Sequence, residues 1–184
     1  MRIPALVLAL LLAAPVQADP VADTIRSALE AWEDGDRQFA LDELIAAQQM
    51  IQSAKADDLS AFLPAAPEGW TREIKTDMNT GLAMMGGGIG AEATYQGPDA
   101  SFRITIMADN PLVASMGAML SNAQLMATMG KVVRVGRVRF LQQDNSLQAL
   151  IANRVLVQAQ DADPAVMLPV LETMDLAALE KFGG

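Results

Sequence analysis

The sequence predicts an α+β fold, an N-terminal helical hairpin followed by a mainly antiparallel sheet with packed helices. Three observations predict it. Apolar residues recur at helical spacing from Val21 to Ile51. After Trp70 the period changes to alternating and β-branched runs. The later runs are joined by turns too short for the crossover that parallel strands require.

The elements follow in order. Asp19 caps a helix whose first position is Pro20, and Val21, Ile25, Leu29 and Trp32 line one stripe of it. Asp34-Gly35-Asp36 is the turn of the hairpin. Asp36 caps a second helix, striped by Ala40, Leu44, Ala47 and Ile51 and ended before Pro64. Leu63 to Trp70 holds two prolines and reads as a linker. Strands are expected over Trp70–Lys75, Ala91–Tyr95 and Ser101–Met107, with a turn at Gly97-Pro98-Asp99. Asn110-Pro111 starts a helical stretch to Met129, with a break at Ser121-Asn122. Four more strands are expected, Val132–Val135, Val138–Leu141, Leu147–Ile151 and Val155–Gln158, with turns at Asp144-Asn145 and Asn153. Asp163-Pro164 caps a last helix running to about Phe182.

Two resemblances rest on these residues. Trp32-Glu33-Asp34-Gly35-Asp36-Arg37-Gln38-Phe39-Ala40, continued by Leu44 and Ala47, resembles one tetratricopeptide-type repeat over residues 22–54. No second copy follows, and a solenoid needs about three, so the resemblance implies a lone hairpin. The chain after the leader also resembles a group of uncharacterised exported proteobacterial proteins. The shared features are the acidic hairpin, the Leu-Pro…Gly-Trp linker, the Met/Gly-rich segment and the closing Asp175-Leu176-Ala177-Ala178-Leu179. That resemblance implies export and brings no activity.

The first 18 residues read as a secretory signal peptide: Arg2 in a short n-region, an apolar run from Ala5 to Ala14, and Val16-Gln17-Ala18 as the cleavage site. The run is too short to span a bilayer. The expected organisation is therefore residues 1–18 as leader, 19–63 as acidic hairpin and 64–184 as α+β domain, with a periplasmic location. Of 184 residues, an 18-residue leader leaves 166, enough for one core with a small appendage. The leader holds one of 13 basic and none of 22 acidic residues, so the exported chain carries a net charge of −10. Such a chain is repelled by phosphate backbones, which argues against a nucleic-acid partner. Ten acidic and three basic residues fall between Asp19 and Ser60, so the acidity concentrates in the hairpin. Cysteine and histidine are both absent. That removes disulfides, thiolates, the commonest metal ligand and the commonest general base.

No motif points to catalysis. Gly86-Gly87-Gly88-Ile89-Gly90-Ala91 has the spacing of a dinucleotide loop but lacks the upstream strand and downstream helix. Asp161-Ala162-Asp163 lacks the later oxygens of a calcium loop, and Asp163 reads as a helix cap. Ser115 lacks one glycine of a nucleophile elbow and any histidine base. The expectation is a non-catalytic protein with no cofactor and no metal.

The methionines stand out. Residues 78–91 and 110–130 contain no charge and hold Met78, Met84, Met85, Met116, Met119, Met126 and Met129. Plain core packing, an adaptable apolar binding surface and a thioether copper site compete for them. The reading adopted is a binding surface of Met84, Met85, Met116, Met119, Met126 and Met129 that takes a protein partner. Its alternatives are a carrier or sensor of an apolar ligand or lipid, and methionine-based copper binding. The segment 110–130 is too polar for a transmembrane span. Lys131, Arg134, Arg137 and Arg139 form a basic patch, read either as the solvent face of two strands or as a dock for an anionic partner. Arg103 and Arg154 extend it if their strands are neighbours.

Overall fold

The structure, a computed structural model, describes residues 19–84 and 86–183. The expected leader and Met85 lie outside the described residues, as does the side chain of Met84. The described residues divide into two compact units, which part between Gln48 and Gln49.

In the first unit, α1 (Pro20–Glu33) and the start of α2 (Arg37–Ser60) form the hairpin. Asp19 Oδ1 accepts from the Val21 amide at 3.0 Å and Pro20 takes the first turn. Gly35 turns the chain at φ +84°, a conformation that an L side chain adopts only with strain. Asp36 Oδ1 then accepts from the Phe39 amide at 3.1 Å and starts α2. The residues buried are alanines: Ala28 and Ala31 on α1, Ala40 and Ala47 on α2.

The second unit is built on one seven-stranded sheet, wholly antiparallel, in the order β1-β2-β3-β7-β6-β5-β4. The strands are β1 (Thr71–Lys75), β2 (Ile89–Gln96), β3 (Ser101–Ala108), β4 (Lys131–Val135), β5 (Val138–Gln143), β6 (Ser146–Ile151) and β7 (Val155–Gln160). Two meanders, β1 to β3 and β4 to β7, meet where β3 pairs with β7. The mixed α+β class expected from the sequence is what the chain adopts.

Each face of the sheet carries its own core. One face presents Tyr95, Phe102, Ile104, Ile106, Phe140, Leu147 and Val157. It is covered by Leu59 of α2, by α6 (Pro164–Leu171) through Met167 and Leu171, and by α7 (Leu176–Leu179). The other face presents Leu141 and Leu156, covered by α4 (Pro111–Leu120) and α5 (Ala123–Met129) through Val113, Leu120 and Met126. Strand alternation then places Glu92, Thr105, Gln158 and Gln148 side by side further along this second face, a polar row across four strands.

Two departures from the sequence reading have local causes. Residues Met78–Met84 form a short helix, α3, where only a Met/Gly-rich segment was expected. α3 sits over Gly90: a Cβ there would lie 2.7 Å from Met78 Sδ and 3.0 Å from Leu82 Cδ1. The bare glycine is what lets the helix approach the strand. The closing helix is two helices, because Asp175 Oδ1 accepts from the Ala178 amide at 2.9 Å and caps a new start. No described helix is long and apolar enough to cross a membrane.

Candidate functional site

The methionine segments do not share one environment. Met126 is fully buried between α5 and the sheet. Met116 and Met119 are half-buried and pack on the same cluster, as does Met107. Met129 is exposed. Because α4 and α5 lie flat on the sheet, most of their sulfur atoms fill the layer between helix and strand, the usual use of a flexible side chain. Three clefts of about 510, 260 and 310 Å³ open on this unit, and none is lined by Met116, Met119, Met126 or Met129.

The basic patch is organised by one hairpin. β4 and β5 are joined by Gly136-Arg137, with Gly136 at φ +58° in the first central position, where a two-residue II′ turn needs a positive φ. That register sets Arg134 directly opposite Arg139 on the face shared with Val132 and Leu141. Arg137 stands in the turn, and Lys131, opposite Gln142, belongs to the other face. All four are exposed, and among the described residues none makes an ion pair. Like charges directly opposite on neighbouring strands are destabilising. Arg103 and Arg154 do not extend the patch as free cations: Arg103 Nε holds Asp161 at 2.8 Å and Arg154 Nε holds Asp109 at 2.7 Å.

The motifs weighed for chemistry take structural roles. The glycine run leads into β2 rather than a helix, and a Cβ on Gly88 (φ +103°) would lie 2.7 Å from Asn110 Cβ. Asp163 Oδ1 accepts from the Ala165 amide at 2.8 Å as the cap of α6. Ser115 Oγ donates to the Leu112 carbonyl at 2.7 Å within its own helix.

One surface lies outside the sequence-read sites. On α1, Ile25, Leu29 and Trp32 are exposed, Leu29 by 56% and Trp32 by 60%. On the part of α2 in the same unit, Leu41, Leu44 and Ile45 are exposed by 45 to 52%. At about 100° per residue, each set follows the buried alanines of its helix in the same rotational sense. Antiparallel helices turn that common sense into a common side, so the two sets share one face of the hairpin. The Arg37 guanidinium lies 5.9 Å from the Trp32 ring centroid on that same side. The stripes are visible in the sequence, but their period does not say which side is buried; the buried residues are the alanines, at i and i+3 on α1 and i and i+7 on α2.

Compared with family models, with curated proteins and with solved structures, the chain matches none.

Proposed function

We propose that this is an exported, non-catalytic binding protein of the periplasm, and that its contact surface is the apolar face of the helical hairpin. One observation carries the reading. Six large apolar side chains, from Ile25 to Ile45, stand about half exposed on one side of two helices whose buried residues in this unit are alanines. Scattered apolar residues are ordinary on a surface, but a contiguous apolar face marks an interaction site. The Met-rich segments contribute less to contact than their composition suggests, since Met126 has no exposed area and Met116 and Met119 are partly consumed in packing.

Charge defines the partner further. Residues 19–48 hold eight acidic and two basic side chains. An apolar face within an acidic field favours a partner with apolar anchors and basic flanks. For export, the support is the leader itself and the position of Asp19, which caps α1 and becomes the first residue if cleavage follows Ala18.

A photo-crosslinking residue tests the surface in cells of the native host. At position 29 it is expected to give one dominant adduct, and at Asp99, in an exposed turn, none. The same diffuse adducts at both positions overturn the reading. N-terminal sequencing of the chain recovered from the periplasm is expected to begin at Asp19. Recovery only in the membrane fraction with the leader intact overturns export as a soluble protein.

A further inference from the structure

The β4–β5 turn, the β6–β7 loop and the end of α4 enclose the cleft of about 510 Å³. Arg134, Arg137 and Arg139 all line it, joined by Ser121 and Asn153, with Glu180 as the single acid. Val138 and Leu150 supply a partly exposed apolar wall. We propose that this cleft binds a phosphate ester. The inference stands on the second unit alone and is independent of the hairpin surface.

A solvated strand face accounts for part of the arrangement and not for the rest. β4 is an edge strand, and a basic residue such as Arg134 on it blocks edge-to-edge pairing. Arg139 lies on β5, which is paired on both sides, and Arg137 lies in the turn, so neither protects an edge. The fold nonetheless holds Arg134 and Arg139 face to face, and among the described residues neither makes an ion pair, not even with Glu180 of the same cleft. A bound dianion relieves that repulsion.

The donor set selects the class. A guanidinium fork matches carboxylate and phosphate oxygens alike. Three such forks with an amide and a hydroxyl offer more donors than one carboxylate accepts, whereas a phosphate ester presents three strong acceptor oxygens and close to two negative charges. The cleft is within the size range of ligand sites and much larger than an inorganic anion. The remaining volume, against Val138 and Leu150, fits the organic body of an ester. Such an ester reaches the cleft either as a soluble phosphorylated molecule or as the headgroup of an anionic phospholipid.

The test uses the chain from Asp19 to Gly184 at low ionic strength, where exposed charges are least screened. Glycerol phosphate is titrated by calorimetry, and vesicles of phosphatidylglycerol are compared with vesicles of phosphatidylcholine by co-sedimentation. Arg134→Gln and Arg139→Gln are each expected to weaken binding at least about tenfold, the scale of one charge-assisted hydrogen bond. Lys131→Gln, on the other sheet face, is expected to leave it unchanged, and circular dichroism checks that all three variants fold. Binding of glycerol phosphate supports a soluble ester, and binding of phosphatidylglycerol vesicles alone supports a headgroup. Failure of both probes overturns the proposal. So does equal weakening by Lys131→Gln, which would mean that only general charge is read.

Discussion

Tyr95 Oη donates to the Pro64 carbonyl at 2.7 Å, 31 residues back along the chain. The Arg72 guanidinium donates to that carbonyl at 2.7 Å and to the Leu63 carbonyl at 2.8 Å. The Tyr95 ring stacks on Phe102 with centroids 4.7 Å apart. The proline-bearing segment that reads as a linker is therefore held to the sheet at its start by two donors.

Burial pushes the Tyr95 phenol up from its ordinary value of 10.0 to about 12, against the opposing pull of Arg72. The folded chain thus holds this proton more tightly than the unfolded one. Its contribution to stability is complete below pH ~10 and is lost as pH rises to about 12. Two units correspond to at most about 3 kcal/mol. Tyr95 is the only tyrosine, so tyrosinate absorbance reports it directly. A midpoint near 12, coincident with loss of sheet circular dichroism, is expected; free ionisation near 10 with the fold intact refutes the burial. Tyr95→Phe is expected to cost only about 1 kcal/mol, because the carbonyl keeps its bond from Arg72.

The methionines separate by position. Met126→Ala empties a site with no solvent contact and is expected to cost about 2–5 kcal/mol. Met129→Ala, at 38% exposure, is expected to stay within about 0.5 kcal/mol. Urea denaturation of both variants decides; equal costs would contradict the placement of α5.

Two glycines respond in opposite directions. A Cβ on Gly130 would lie 2.3 Å from the Gln142 carbonyl oxygen, and backbone cannot swing aside as a rotamer does. Gly130→Ala is expected to destabilise by about 1–3 kcal/mol. A Cβ on Gly117, inside α4, meets only Leu150 Cδ2 at 3.6 Å, an ordinary contact. Gly117→Ala is expected to stabilise by roughly 0.5–1 kcal/mol through helix propensity. The two shifts in thermal midpoint should differ in sign.

Asp109 adopts φ +56° and receives Arg154 Nε at 2.7 Å and Lys55 Nζ at 3.5 Å. These groups are about a third exposed or more, so the charge itself is worth little. Asp109→Asn, which tolerates the left-handed backbone, is expected to cost under about 1 kcal/mol. Asp109→Ala adds roughly 1–2 kcal/mol of backbone strain. Chemical denaturation of the pair distinguishes backbone from charge, and equal losses would assign the effect to the ion pairs.

What was legible in the sequence was local. Asp19-Pro20, Asn110-Pro111 and Asp163-Pro164 each begin a helix with the aspartate or asparagine oxygen on a backbone amide, as caps read from sequence should. The break at Ser121-Asn122 is real because Asn122 Oδ1 takes the amides of Gln124 and Leu125 and starts α5. The short turns made the sheet antiparallel. α3 was not legible: Gly81 weakens its pattern, and it packs where Gly90, eight residues past its midpoint glycine's neighbour Leu82, leaves room.

By itself, the sequence determined the period of each segment, its caps and its turns, because those depend on residues within a few positions of one another. Tertiary structure alone decided which side of each helix meets something. In the hairpin Ala28, Ala31, Ala40 and Ala47 are buried while larger apolar residues such as Leu29, Trp32 and Leu44 stand exposed. Met126 is buried while Met129, one turn on, is not. Arg134 faces Arg139 at the mouth of a cleft completed by Ser121, Asn153 and Glu180, residues distant in the chain. Burial and convergence are properties of strand order and of the surfaces laid against a residue, and an apolar periodicity reads the same whether its face meets a core or open solvent.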